Sequence, residues 1–289
     1  MSKYTRSDLA LENIVKRKSL HSENTGILRS EQSGGLRITE IASENGGRYV
    51  TVCQKALWKT DGVDRDRAST VIASEIRKML MNETSKQIDE NFSVLIAGIG
   101  NEEITADAIG PLTVKNITVT RHLKTDSPGI YKRLGCCSVS ALSPGVLGQT
   151  GIETAKLIKG AVENSVPDAV IAIDALAARS CERLAAVVQI SNCGIEPGSG
   201  IGNTRVAICK SSLGVPVISV GIPTVVDSSV LVFDALHRAG IKRTNPKLEK
   251  VLKNGESFFV TPKEGDVITR HMSELLAESL EKAFSVFRE

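Results

Sequence analysis

SVLIAGIGNEEITADAIGP, residues 93–111, decides how the chain is organised. Ser93 to Ile99 is an apolar run of strand length, closed by Gly98-Ile-Gly100. A helix restarts near Asp107, so the stretch is a strand, a loop and a helix with a carboxylate at the turn. A second unit of this kind begins at Ala169-Val-Ile-Ala-Ile173 and delivers Asp174 at its carboxyl end. The chain between the two acids is long enough for crossover connections between parallel strands. Ligands of open α/β sheets bind outside the carboxyl ends of strands, so Asp107 and Asp174 point at the expected cleft. The pattern predicts an α/β fold with a mostly parallel central sheet.

Working outward, Arg48 to Val52 reads as a short edge strand and Val63 to Met81 as a covering helix, with Val71, Ile72, Ile76 and Leu80 at helical spacing. Lys115 to His122 alternates like a strand, Val187 to Ile190 is another, and Pro216 to Val220 is a last central one. Two glycine-rich stretches, Ser143 to Gly151 and Gly194 to Gly202, follow strand positions as a cleft rim would. The first leads into a helix over Ile152 to Ala161, where free N–H groups could grip a substrate; a simple connection explains its composition equally well. Thr261-Pro-Lys-Glu264 has the form of a capping box, and Ile268, Met272, Leu276, Leu280, Ala283 and Phe287 form one apolar stripe behind it. Residues 1 to about 45 are charged and weakly periodic, which predicts a mobile lead-in with one helix around Asp8 to Lys18.

Composition narrows the function. Thirty-six Lys and Arg against 33 Asp and Glu give a net charge of +3, and aromatic residues make up 3%, which argues against a dedicated nucleic-acid binder. The amino terminus carries charges where a signal peptide needs an apolar core, and the run from Leu213 to Val226 is too short to span a bilayer. A cytoplasmic protein is expected. Its six cysteines, Cys53, Cys136, Cys137, Cys181, Cys193 and Cys209, show no C-x-x-C pair and no zinc spacing, so reduced thiols are expected.

For Asp107 the competing role is helix capping, since Pro111 fits a helix that begins at or just after it. Asp174 has apolar neighbours, and burying a carboxylate among them without purpose is costly. If the two carboxyls stand about 5 Å apart at an effective dielectric of about 20, their repulsion is about 3 kcal/mol, roughly two pKa units. One then keeps a proton at neutral pH while the other is ionised, which suits a hydrolase that activates water. Asp107, near a positive helix end, is assigned as the ionised member and Asp174 as the protonated one. Two aspartates and a histidine could instead hold a metal ion, but His21, His122, His237 and His271 lie in no ligand motif, and of these His122 is placed nearest the core. No G-x-S-x-G elbow accompanies Ser199, and Gly98-Ile-Gly100 lacks the third glycine of a dinucleotide site. Neither a cofactor nor a metal is expected.

The chain resembles the germination protease family of endospore-forming bacteria. The resemblance rests on Gly98 to Asn101 with Asp107 to Pro111, Val119 to Leu123, Ser143 to Thr154, Ile173 to Ser180, Pro197 to Asn203 and Phe259 to Glu264, in that order. It implies a three-layer αβα, phosphorylase/hydrolase-like core shared with hydrogenase maturation proteases, a homotetramer, and an endopeptidase that degrades small acid-soluble spore proteins in the spore core. It also implies a precursor that removes its own amino-terminal segment, and it places the two catalytic aspartates on Asp107 and Asp174. The family cuts between an acidic residue and an apolar one followed by alanine. Asp8-Leu9-Ala10 matches, so self-cleavage is expected between Asp8 and Leu9, giving a propeptide-like segment 1–8 and a single protease domain 9–289 whose sheet region spans about 92–289. Two departures stand out: the region between Asn203 and Phe258 is reduced, and Glu196 replaces a histidine that related hydrogenase proteases use for nickel. The alternatives are a metal-dependent maturation peptidase and a non-catalytic spore protein-binding module.

Overall fold

The computed structural model describes residues 7–12, 26–43, 46–197, 205–241, 245–254 and 258–286. Among the described residues, nine strands form one sheet: β1 (Ile27–Ser33), β2 (Leu36–Ala42), β3 (Arg48–Cys53), β4 (Ser93–Gly98), β5 (Ser138–Leu142), β6 (Ala169–Ala178), β7 (Val187–Ser191), β8 (Val217–Asp227) and β9 (Phe259–Val260). Their order is β1-β2-β3-β7-β8-β6-β4-β5, with β9 beside β8. The strands β5, β4, β6 and β8 run parallel and form the centre, and β7, β3, β2 and β1 extend it in antiparallel pairs. This is a mixed α/β sheet whose central strands are parallel.

Helices cover both faces because the central strands bury side chains on both. Val94 and Ile96 of β4, with Ala169, Ile171 and Ile173 of β6, pack under α1 (Gly62–Thr84) and the terminal helix α4 (Gly265–Phe284). Leu95 and Ala97, with Val170 and Ala172, face the other way onto Ala155, Ile158 and Val162 of α3 (Thr154–Ser165). Asp174 continues the second series, so its carboxylate belongs to the α3 face. The short helix α2 (Ile109–Lys115) follows β4 and crosses it where Gly98 meets Gly110. A Cβ on Gly98 would stand 2.2 Å from the Gly110 carbonyl oxygen, so the contact is backbone on backbone.

Several sequence expectations are corrected. The lead-in is not mobile throughout: β1 and β2 form a hairpin, and Leu36, Ile38 and Ile41 are core residues. Gly34 and Gly35, both at positive φ, make its turn. The sheet therefore begins at Ile27, and β3 is an interior strand between β2 and β7. Of the helix expected over Asp8 to Lys18, residues 10–12 are helical and residues 13–18 lie outside the described residues. Residues 115–122 are not a strand; Val119 is exposed, and the strand of this region is β5. Strands β6 and β8 run on past Ile173 and Val220, so Asp174 stands within its strand, at the point where β4 leaves β6 after the Gly98–Ile173 pair. The helix after Thr261 starts at Gly265, with no side-chain cap. Its stripe is buried through Ala283, and Phe287 lies outside the described residues.

Leu276, fully buried between α1 and the sheet, tests this packing. Leu276→Ala is expected to cost about 2–5 kcal/mol in a denaturant titration, the usual range for a truncated core leucine.

Candidate active site

Asp107 ends a one-turn 3-10 helix, Thr105–Asp107, that precedes α2. The turn is pinned from two sides: Thr224 donates to the Ala106 carbonyl at 2.6 Å, and Thr269 donates to the Thr105 carbonyl at 3.1 Å. The Asp107 side chain does not cap α2, as helix-capping would require. Its Oδ2 turns back and accepts the Asn101 N–H at 2.7 Å. Gly100, at φ 125°, permits this return, because a Cβ there would stand 2.0 Å from the Asp107 carbonyl oxygen.

Asp174 is 7% exposed and accepts the N–H of Ala175 at 2.9 Å. It pairs laterally with Gly221 of β8, which pairs in turn with Gln189 of β7. Burial pushes the Asp174 pKa well up, with the Asp107 charge as the next cause and Asp8 a further one, against the lowering effect of the Ala175 N–H. Asp107 is raised too, by burial, with the Asn101 N–H opposing. Both acids line one cavity of about 250 Å³.

The loop that composition left open, Ser143 to Gly151, forms a wall of this cavity through Val146, Leu147 and Gly148. Its Gln149 donates to the Asn101 side chain at 2.7 Å, tying the wall to the loop that holds Asp107. The opposite rim carries Pro197, Arg205 and Val206, and Arg205 pairs with Glu153 at 3.6 Å. Residues 198–204 of the second glycine-rich stretch, Ser199 among them, lie outside the described residues. His122, expected near the core, is exposed. Among the described residues no three His, Cys, Asp or Glu side chains group as a metal site.

Asp8 and Leu9 are also brought to this face of the sheet. Asp8 donates its N–H to the Ala177 carbonyl at 3.0 Å, and its Oδ2 accepts the Ala177 N–H at 2.8 Å. Leu9 is 1% exposed and packs with Leu176, Ala178, Val187, Val226 and Val230. Sequence reasoning missed Gln189, whose signal was a lone amide in the apolar strand Val187-Val-Gln-Ile190.

Two carboxylates, one buried and one half-buried, in the crevice of an α/β sheet are an arrangement suited to hydrolysis, and comparison with known proteins identifies the class as peptidase. The germination protease family model matches residues 11–239. The germination protease of Caldanaerobacter subterraneus subsp. tengcongensis is 38% identical over 96% of this chain and 93% of its own length. That of Bacillus subtilis is 41% identical over 80% of this chain and 66% of its own length, and that of Clostridium perfringens strain 13 is 36% identical over 95% and 93%. The chain belongs to the germination protease family and is a peptidase of spore germination. A solved NiFe hydrogenase maturation protease, HycI from Thermococcus kodakarensis, aligns with 71% of this chain and 97% of its own at 17% identity and a TM-score of 0.38.

Proposed function

We propose that the chain is an endopeptidase in which Asp107 and Asp174 activate water against a peptide bond. Its substrates in this reading are small acid-soluble spore proteins, it works as a homotetramer in the spore core without cofactor or metal, and it is made as a precursor that cuts between Asp8 and Leu9 to leave the single domain 9–289. The observation that carries the reading is the shared cavity of the two acids, with Asp174 the more deeply buried and the one whose proton is held by burial first and by the Asp107 charge second.

Asp107, in the ionised form that accepts the Asn101 N–H, takes a proton from a water molecule as its oxygen bonds to the scissile carbonyl carbon. Asp174 gives its proton to the carbonyl oxygen. The resulting diol collapses: the C–N bond breaks, the nitrogen leaves with the proton held by Asp107, and Asp174 regains one from the diol hydroxyl. One water is consumed, an acid and an amine are released, and the pair returns to its starting state.

The pH profile follows. Activity requires Asp107 ionised and Asp174 protonated, and both pKa values are raised from the ordinary carboxylate range. The acid limb of kcat is therefore expected above about pH 4, and the alkaline limb at the Asp174 value. Cleavage of a small acid-soluble spore protein across pH 3–10, with and without chelator, tests this. A profile flat through both limbs sinks the two-acid mechanism, and chelator-sensitive cutting replaces it with a metal-dependent one. Binding of the spore protein without any cutting makes the site non-catalytic.

A further inference from the structure

We infer that residues 7–12 occupy the protein's own peptide-binding groove and that Gln189 aligns the bond to be cut. This rests on the endopeptidase reading above. The groove is then the one that receives segments of a substrate protein once residues 1–8 have been cut away and residues 9–12, no longer held by Asp8, have withdrawn from it.

Both ends of the Gln189 amide are used on the segment. Its Nε2 donates to the Asp8 carbonyl at 3.0 Å, and its Oε1 accepts the Ala10 N–H at 2.8 Å. The first of these is the carbonyl of the Asp8–Leu9 bond. A group that donates to the carbonyl before a residue and accepts from the N–H after it reproduces what one residue of a parallel strand does. Such a grip reads the backbone rather than the side chains, so it suits any extended peptide. Gln189 is itself 7% exposed, in a strand whose other residues are all buried. A buried amide without partners is costly, so a departing segment leaves Gln189 in need of another peptide.

The side chains supply the selectivity. Leu9 fills an apolar pocket floored by Leu176, which lies across Gly221; a Cβ on Gly221 would stand 2.4 Å from Leu176 Cδ1. The Asp8 carboxylate takes the Ala177 N–H on the part of β6 that β4 has left. Further on, Glu12 accepts the Arg179 N–H at 2.7 Å and pairs with Arg183 at 3.3 Å. An acidic residue followed by an apolar one is what this groove is shaped to take. The reaction site is adjacent: Asp174, Gly221 and Gln189 stand side by side on neighbouring strands, which puts the outer two Cα atoms about 10 Å apart.

The test uses the full chain and its Gln189→Ala, Gln189→Glu, Leu9→Asp and Asp174→Asn forms. New termini are read by mass spectrometry over time, with a small acid-soluble spore protein present and the unfolding temperature recorded. The wild type is expected to release residues 1–8. Gln189→Ala and the equally sized Gln189→Glu, which loses the donor to the Asp8 carbonyl, are expected to slow that release about 100-fold and to scatter cuts over neighbouring bonds. Leu9→Asp is expected to stop it. A merely structural Gln189 would lower the unfolding temperature and leave the position of the cut unchanged, which overturns the inference. So does Gln189→Ala processing at the wild-type rate, or a wild type that cuts the spore protein but never Asp8–Leu9; in both, the endopeptidase reading stands. Asp174→Asn processing at full rate while Gln189→Ala does not overturns the aspartate mechanism alone. A wild type that cuts nothing overturns both.

Discussion

Asp174→Asn is expected to lose at least about 1,000-fold in cleavage rate at its optimum pH while becoming more stable at pH 7. The rate loss is the scale of a general acid removed from a reaction that needs it. The stability gain has a separate origin. Folding places the Asp174 carboxyl in an apolar strand beside Asp107, so the folded chain holds that proton more tightly than the unfolded chain does. The stabilising contribution of the proton is complete below the unfolded value, about pH 4, and is lost as pH rises through the raised folded value. Asparagine needs no proton taken up on folding, so its advantage grows as pH rises from about 4 towards the folded value and vanishes near pH 4. At pH 7 the gain is about 1–3 kcal/mol, the cost of a poorly compensated buried polar group, or on the order of 5 °C. Differential scanning calorimetry at pH 4 and pH 7, paired with cleavage assays, separates the two effects. An inactive variant with no pH-dependent gain would mean that Asp174 is not the strained member of the pair.

Gly100→Ala is expected to cost about 2–4 kcal/mol and to lower cleavage about 100-fold, although Gly100 carries no reacting group. At φ 125° an alanine is strained, and its Cβ would stand 2.0 Å from the Asp107 carbonyl oxygen and 3.2 Å from Asp107 Cγ. The turn must move, and a displacement of about 1 Å at a reacting acid costs about that much rate. Gly160→Ala is the control: Gly160 lies within α3 and a Cβ there would meet open space, so the exchange should add up to about 1 kcal/mol and leave cleavage unchanged. Thermal unfolding and a timed digest of a spore protein measure both.

The two strands that carry the site were legible in the sequence because each is an unbroken apolar run, the signature of a strand buried on both faces; Asp174 interrupts one such run, and Asp107 lies in the loop after the other. What was not legible has identifiable causes. Gly221 and Pro223 look like breakers, yet β8 runs through both: Leu176 covers the glycine, and the β6–β8 register shifts just after the Leu176–Pro223 pair. The hairpin of β1 and β2 hid behind its charges: Arg29 of the edge strand pairs with Glu31, with Glu40 of β2 and with Glu75 of α1. The place of residues 7–12 could not be read from local pattern, since Ala177, Arg179 and Gln189, which hydrogen-bond to that segment, lie far beyond it in the sequence.

That last separation sets a schedule for synthesis. β3 has to await β7, and Asp8 has to await Gln189, 181 residues further along. At about 5–20 residues per second, the ribosome takes roughly 10–40 s to deliver the partner. Residues 7–12 are made long before the partners that place them, so the bond after Asp8 is held in position only once β6 and β7 exist. In the self-cleavage proposed above, the cut is thereby timed by topology, because an unfinished chain does not yet hold its own bond in place.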